Sequence, residues 1–285
     1  MKFAITASDR YLGVWEAFVA QGWEPVKLFT TPVDNRLHHH QAVLKYARER
    51  GIEAQISPLG EADLEDLAQR GCDALVVASY NWRIGDWRPY LRYAVNFHPS
   101  PLPYARGAYP IVSAILGNHD SWGVTCHRLD PQFDSGPILA SRTFPLAADE
   151  CHESLDLKVQ LAAKTLAADV AAHFGDYWEN ARPQGEGTYF KLWTTADRTL
   201  DLTRPVDEIL RRIRAFGLIE CLAVVNDVTV FVHKAVGWKE SHDYRPGTLV
   251  HVNALQMLVA VQDGFIGIVE WSLHPPDVPI GTLHR

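Results

Sequence analysis

Short apolar segments alternate with amphipathic segments along the first 100 residues of the chain. The apolar segments predict strands at residues 3–7, 26–30 and 74–80, and the amphipathic segments predict helices at 13–21, 41–50 and 61–70. Such alternation is typical of a parallel sheet with helices on both faces. Residues 74–78 are all apolar, which indicates a central strand that is covered on both sides.

The second half of the chain has a different pattern. A strand at 123–129, an apolar segment at 137–141 and a helix of about 20 residues from 153 complete the first domain. Turn-forming residues at 182–188 indicate a linker. A helix from about residue 203 to 216 follows, and then short strands at 223–225, 228–232, 248–252, 258–261 and 265–271, which predict a small β-barrel. We therefore predict an α/β fold in two parts: a Rossmann-like, mostly parallel sheet (1–188) and a helix-plus-β-barrel, OB-like domain (189–285).

Two polar residues end an otherwise apolar strand. Asn96 and His98 flank Phe97 in the segment 93–98, so in a strand the two polar side chains lie on one face. Prolines at 99, 101 and 103 stop the strand there, at the edge where open α/β sheets bind ligands. With Asp134 nearby, an amide, an imidazole and a carboxylate can stabilise an oxyanion, move a proton and orient the base. Asp134 is expected to favour the charged form of His98.

Composition narrows the class of protein. The 285 residues are 47% hydrophobic, which suits a globular chain with a large core. No apolar run approaches the roughly 20 residues that cross a bilayer, and the amino terminus lacks a signal-peptide layout, so we expect a cytoplasmic protein. Four scattered cysteines without a CxxC pair indicate buried thiols. The net charge of −7 disfavours a large polyanionic partner.

Common cofactor motifs are missing from the sequence. Neither GxGxxG nor GxxxxGK[ST] follows the first strand, so neither a dinucleotide nor a nucleoside triphosphate is predicted. Residues 38–40 are consecutive histidines, whose side chains point in different directions at a helix start. No metal site is therefore predicted.

One longer motif gives the sequence a resemblance. The string NFHPSPLP at 96–103 is followed by RGA at 106–108, GVT at 123–125 and DSG at 134–136. This pattern resembles the formyltransferase family typified by methionyl-tRNA formyltransferase, which also includes sugar N-formyltransferases. Members of that family transfer a formyl group from 10-formyltetrahydrofolate to an amine in one-carbon metabolism. The likeness extends to the helix-plus-barrel tail.

The resemblance implies roles for particular residues. It makes Asn96, His98 and Asp134 catalytic and 10-formyltetrahydrofolate the co-substrate, without a metal. The residues implied to bind the folate are Tyr80, Ser100, Pro101, Leu102 and Pro103. Arg106 and Tyr109 are candidates for binding the acceptor.

The sequence leaves the acceptor open. From residue 197 onward the chain has nine Lys and Arg against eleven Asp and Glu, a poor electrostatic clamp for tRNA. A small amine, such as a nucleotide-linked amino sugar, is therefore favoured over Met-tRNA. Hydrolysis of formyltetrahydrofolate and a folate-binding module without turnover are the remaining alternatives, and the oligomeric state is open.

Overall fold

The structure is a computed structural model that describes residues 1–33 and 39–273. Its strands, in chain order, are β1 (Lys2–Ala7), β2 (Glu24–Phe29), β3 (Glu53–Gln55), β4 (Ala74–Ala78), β5 (Tyr93–His98), β6 (Arg106–Gly107), β7 (Ser121–Arg128), β8 (Ile138–Pro145), β9 (Tyr189–Phe190), β10 (Cys221–Val225), β11 (Val228–Lys239), β12 (Leu249–Val252), β13 (Met257–Val261) and β14 (Gly264–Ser272).

The α-helices, again in chain order, are α1 (Leu12–Ala20), α2 (Gln41–Glu49), α3 (Glu61–Gln69), α4 (Pro110–Leu116), α5 (His152–Ala172), α6 (Phe174–Glu179), α7 (Thr195–Arg198) and α8 (Val206–Phe216). Short 3₁₀ turns lie at Asp9–Tyr11 and Gly217–Ile219. No helix in the described part of the chain combines the length and apolar character needed to cross a membrane.

The larger sheet has the strand order β3-β2-β1-β4-β5-β7-β8. Strands β1 to β5 run parallel, whereas β7 and β8 are antiparallel to their neighbours at one edge. The chain moves outward from β1 to β3 and then returns to place β4 on the other side of β1. The strand order therefore reverses between β1 and β4, and in doubly wound sheets a ligand crevice lies outside the carboxyl ends of the strands at such a point.

Helices cover both faces of this sheet. On one face α1, α2 and α5 bury apolar residues against β1, β5 and β7, and the same hydrophobic cluster continues through α4 and α8 into the second sheet. On the other face α3 buries Leu64 and Leu67 against Leu75 and Val77 of β4. The predicted Rossmann-like arrangement is confirmed.

The second sheet is antiparallel, with the order β10-β11-β14-β13-β12. Its two edge strands, β10 and β12, do not pair with each other within the described residues, so the sheet is a half-barrel. Helix α8 lies on it and packs against β11 and against α4 of the first domain. The expectation of a helix and a small barrel-like domain is confirmed. The boundary after residue 188 stays a prediction, and β9, just beyond it, pairs with β6.

Some elements differ from the sequence-based expectation. Helix α8 begins at Val206 rather than near 203, because Asp201 Oδ1 accepts hydrogen bonds from the backbone and the hydroxyl of Thr203 in a separate turn. Strand β11 continues seven residues past 232, to Lys239. Helix α4, which packs against α8 of the second domain, was not predicted, since its seven residues are nearly all buried and show no amphipathic period.

Candidate active site

Strand β5 carries two of the predicted residues at its carboxyl end. Asn96 and His98 alternate along the strand, and the antiparallel register pairs Asn96 with His127 of β7. Asn96 Nδ2 lies 3.1 Å from His127 Nε2. The neighbouring strand thus adds a second imidazole to the predicted cluster.

Asp134 reaches this cluster from the loop between β7 and β8. Its backbone is in the left-handed region, with φ of 55°. Asp134 Oδ1 lies 3.2 Å from Asn96 Nδ2, 3.3 Å from His98 Nδ1 and 3.5 Å from His127 Nε2. Asp134 Oδ2 accepts a hydrogen bond of 2.8 Å from the backbone N–H of Gly107. The structure therefore brings Asn96, His98 and Asp134 together around one carboxylate.

The two imidazoles are each fixed by a backbone carbonyl. His98 Nε2 lies 2.9 Å from the carbonyl oxygen of Ala105, and His127 Nδ1 lies 2.8 Å from that of Arg128. Because a carbonyl oxygen only accepts, these nitrogens carry the hydrogens in the neutral rings. His98 Nδ1, on the Asp134 side, is then the nitrogen that can take up a proton.

Burial and neighbouring charges set the charge state of the site. Burial alone would raise the pKa of Asp134, but His98, His127 and the Gly107 N–H together hold the pKa below its ordinary value. Burial lowers the pKa of His98, despite the opposing effects of Asp134 and the Ala105 carbonyl. The expectation that Asp134 favours the charged form of His98 is confirmed as the direction of its effect, but desolvation outweighs the ion pair and the pKa of His98 is lowered overall. At neutral pH an ionised carboxylate lies beside a neutral base.

A cavity of about 400 Å³ opens at this end of the sheet. Asn96, His98 and Asp134 line it, and such a volume suits a small molecule. Its largely apolar wall is formed by Val77, Tyr80, Trp82, Ile84, Trp87 and Leu129. The cavity also reaches Arg10, Tyr11, Tyr109 and His152. The polar cluster therefore faces a space that can hold a small molecule.

Comparison with known families and relatives identifies this arrangement. Residues 31–170 match the formyl transferase family model, and residues 193–275 match the model of the formyl transferase C-terminal domain. The methionyl-tRNA formyltransferase of Halorhodospira halophila is 30% identical over 265 residues, which cover 89% of this chain and 85% of that protein. The chain belongs to the formyltransferase family. It is a formyl-transferring enzyme, as the sequence predicted.

Other relatives share most of the length of this formyltransferase. The methionyl-tRNA formyltransferase of Agathobacter rectalis is 28% identical over 276 residues, covering 93% of this chain and 89% of that protein. The N-formyltransferase from Helicobacter canadensis, solved with folinic acid and dTDP-3-aminofucose, matches with a TM-score of 0.67 at 16% identity, over 95% of this chain and 99% of that one.

A larger protein contains the same fold. HypX from Aquifex aeolicus matches with a TM-score of 0.67 at 18% identity, over 96% of this formyltransferase. The chain spans only 45% of the HypX chain. At these identities the two structural matches show a shared fold.

The implied folate-binding residues lie in two different settings. Tyr80 lines the cavity, and its hydroxyl accepts a hydrogen bond of 2.7 Å from the backbone of Leu59. Ser100, Pro101, Leu102 and Pro103 do not line the cavity. Ser100 and Leu102 are buried, with Ser100 Oγ donating to the Tyr104 carbonyl and the Leu102 N–H to Thr125 Oγ1. Folate contact by these four residues stays a prediction, and their bonding indicates a brace for the loop that carries Ala105.

The two candidate acceptor-binding residues also separate. Tyr109 lines the cavity at the start of α4, with φ of 51°. Arg106 does not line it: its guanidinium donates to Gln184 Oε1 at 3.0 and 2.9 Å and to the Gly185 carbonyl at 2.9 Å. An acceptor-binding role stays a prediction for both, and of the two only Tyr109 lines the cavity.

Sequence reasoning missed three contributors to the cluster. His127 is a polar residue inside an apolar strand, the same signal that identified Asn96, and could have been found. The Gly107 N–H and the side chain of Gln184, which donates to the Asp134 carbonyl, left no such signal. Their contribution depends on how distant loops pack.

A metal is neither predicted nor indicated by the geometry. Within residues 1–33 and 39–273 no group of three His, Cys, Asp or Glu side chains is arranged to hold one. Of the three consecutive histidines, His38 lies outside the described residues, and His40 Nδ1 lies 2.8 Å from the Thr31 carbonyl oxygen. Function without a metal stays a prediction.

Proposed function

We propose that this enzyme transfers the formyl group of 10-formyltetrahydrofolate to the primary amine of a small acceptor, such as a nucleotide-linked amino sugar. The observation that carries the proposal is the cavity, where an apolar wall leads to the Asn96, His98 and Asp134 cluster. Complexes of relatives support it. The Helicobacter canadensis enzyme was solved with folinic acid and dTDP-3-aminofucose, and HypX with tetrahydrofolic acid.

The apolar wall suits the flat ring system of a folate. Trp82, Ile84 and Trp87 lie in the loop after β4, and Leu129 faces them from the end of β7. Ligand sites of this kind gain affinity from apolar and aromatic walls and orientation from a few polar groups. We therefore propose that the folate binds with its ring along this wall and its formyl group at Asp134.

The chemistry is a transfer between two nitrogens. The neutral amine of the acceptor attacks the formyl carbon, and a tetrahedral intermediate with a developing oxyanion forms. His98 Nδ1 takes the proton that the attacking nitrogen loses, and Asp134 stabilises the resulting imidazolium at 3.3 Å. His98 then returns the proton to the leaving folate nitrogen as its bond to the formyl carbon breaks. The proton lost by the attacking nitrogen ends on the folate nitrogen, which also keeps the electron pair of the broken C–N bond, so no further reactant is needed.

Asn96 is assigned to the oxyanion. In the structure its amide N–H groups are directed at Asp134 Oδ1 and His127 Nε2. We infer that one of these N–H groups turns to the formyl oxygen when the substrates are bound. Losing such a donor commonly costs about 10²–10³ in rate.

A small acceptor is favoured over tRNA on charge. The second domain, which lies beside the cavity through α8 and α4, has more acidic than basic residues, and binding of the nucleic-acid backbone depends on Lys and Arg. Met-tRNA is the second candidate, because the relatives from Agathobacter rectalis and Halorhodospira halophila are methionyl-tRNA formyltransferases.

The test is a comparison of acceptors. Purified enzyme is incubated with 10-formyltetrahydrofolate and either nucleotide amino sugars, charged tRNA, ornithine derivatives or no acceptor, and release of tetrahydrofolate is followed together with mass spectrometry of the product. We expect release that depends on a small amine and a product heavier by one formyl group. Release only with charged tRNA would establish the second candidate. Release without any acceptor would indicate the hydrolase, and Asp134→Asn serves as the inactive control.

A further inference from the structure

The segment that connects the two domains lies against the catalytic cluster. Arg182 exchanges backbone hydrogen bonds with Ile138, at the start of β8, and β9 pairs in parallel with β6. Between these two anchors the linker passes under the loop that carries Asp134. The linker is therefore part of the wall behind the reacting groups rather than a free connection.

Gln184 is the linker residue whose side chain hydrogen-bonds to the Asp134 backbone. Its Nε2 donates hydrogen bonds to the carbonyl oxygens of Asp134, at 2.9 Å, and Gly136, at 2.7 Å. Its Oε1 accepts two hydrogen bonds from Arg106. Both N–H groups and both acceptor sites of the Gln184 amide are thus used. This one side chain bridges the two ends of the turn at 134–136.

The turn held in this way is conformationally demanding. The backbone of Asp134 is in the left-handed region, a conformation that is unfavourable for most residue types other than glycine, asparagine and aspartate. A Cβ on Gly136 would collide with the Arg128 carbonyl oxygen, so the chain passes very close to β7 here. Two hydrogen bonds to the carbonyls of this turn fix the position from which the Asp134 side chain reaches His98.

The linker also supports the His98 side of the cluster. Thr188 Oγ1 accepts a hydrogen bond of 2.8 Å from the Ala105 N–H, and the Thr188 carbonyl accepts one of 2.9 Å from the Arg106 N–H. The carbonyl of Ala105 is the partner of His98 Nε2. Both members of the acid–base pair are therefore braced by the same stretch of linker.

We propose that Gln184 is a positioning residue for formyl transfer, holding the Asp134 turn so that the carboxylate meets His98, with Thr188 giving parallel support to His98. The proposal rests on the catalytic role proposed above for Asp134. Reactions that depend on aligned groups are sensitive to small displacements, and a shift of about 1 Å can cost up to roughly 10²-fold in rate.

Gln184→Glu is the most informative variant. It keeps the size of the side chain and an acceptor for Arg106, but it replaces the amide donor with an oxygen that faces two carbonyl oxygens. Gln184→Met removes the donor without adding a charge, and it serves where the charged variant fails to fold. Gln262→Glu is the matched control, because Gln262 is exposed at the β13–β14 turn, in the second domain.

Two measurements separate positioning from general stability. The first is kcat and KM for formyl transfer, with the thermal unfolding midpoint of each variant. The second is the ring-nitrogen NMR signals of His98 and His127, recorded in enzyme labelled with ¹⁵N-histidine without substrates. We expect kcat to fall about 10- to 100-fold in both Gln184 variants, with KM for the folate changed less than about threefold, since the apolar wall is untouched. The ring signals should shift in both.

The opposite results would overturn the proposal. A kcat within twofold of the Gln262→Glu control, in a folded variant, would show that the Asp134 turn does not need Gln184. Unchanged ring-nitrogen signals of His98 and His127 would show that Gln184 does not position the cluster in the enzyme without substrates. If the wild-type enzyme released no tetrahydrofolate with any acceptor, the proposed function would fail, whereas the ring signals would still decide whether Gln184 positions the cluster. Thr188→Val should shift the His98 signal more than that of His127.

Discussion

Two buried carboxylates, one in each domain, lie in nearly the same local setting. Asp134 and Glu220 both have left-handed backbones, with φ of 55° and 66°. Their side chains are only 10% and 3% exposed. Asp134 Oδ1 lies 3.3 Å from His98 Nδ1, and Glu220 Oε1 lies 2.6 Å from His233 Nδ1. Judged by the carboxylate–histidine pair alone, the second domain has the tighter arrangement.

The surroundings of the two pairs differ. Asp134 also accepts hydrogen bonds from the Asn96 amide and the Gly107 N–H, and Asn96, His98 and Asp134 line a cavity of about 400 Å³. His233 Nε2 instead lies 3.2 Å from Ser272 Oγ, and neither Glu220 nor His233 lines that cavity. A carboxylate beside an imidazole is therefore not enough to indicate catalysis. Converging donors and room for a reactant distinguish the first site, and the predictions below test that distinction.

The largest effect is expected for Asp134→Asn. The amide cannot stabilise the imidazolium of His98, so we expect kcat to fall about 10³–10⁴-fold, as when the carboxylate of a catalytic triad is replaced by an amide. KM for the folate should stay nearly unchanged, because the apolar wall is intact. Steady-state kinetics with the best acceptor checks this result. Near-normal turnover would mean that Asp134 takes no part in the reaction and that its pair with His98, like the pair of Glu220 with His233, is structural.

Asn96→Ala is expected to have the next largest effect. Removing the amide deletes the proposed oxyanion donor and one hydrogen bond to Asp134, so kcat should fall about 10²–10³-fold. Asn180→Ala is the matched control, because Asn180 is exposed and its amide donates to the Asp176 carbonyl away from the site. A loss confined to KM would mean that Asn96 binds substrate without stabilising the transition state.

How far the sequence predicted this site depends on how local each signal is. Asn96 and His98 could be found because strands alternate with period two and prolines end this strand, so neighbouring letters determine both the face and the edge. Asp134 could be found only through the family motif, since no local rule says that a loop residue 36 positions after His98 returns to it.

The remaining contributors depend on contacts between distant segments. Gln184 meets Asp134 across 50 residues, and the linker around it was predicted only as turn-forming. The effect of Asp134 on the pKa of His98 was predicted with the right sign, but the larger effect of burial was not, because the degree of burial depends on distant segments. Ser100 to Pro103, which the motif implies as folate contacts, form a braced turn that does not line the cavity, and their contact with the folate stays a prediction.

The pH dependence of the enzyme should reflect the burial of His98. Burial lowers the pKa of His98, so the base stays neutral until the pH falls below the ordinary histidine value of about 6.5. The acid limb of kcat/KM should therefore have its midpoint below that value, with activity falling about tenfold per pH unit beyond it. Asp134 opposes the downward shift, so the midpoint should move lower still in Asp134→Asn. A midpoint well above 6.5 would mean that the ion pair dominates after all.

The smallest effect on activity is expected for the second pair. Glu220→Gln removes the charge beside His233. Because no reacting group lies there, formyl transfer should stay within about twofold of wild type. The free energy of unfolding should fall by about 1–3 kcal/mol, because a buried contact is weakened. Chemical denaturation measures the stability, and Glu240→Gln, at an exposed position beyond β11, is the control. A large loss of turnover in a stably folded Glu220→Gln enzyme would mean that the pair in the second domain takes part in the reaction. The cavity would then no longer be what separates a catalytic carboxylate from a structural one.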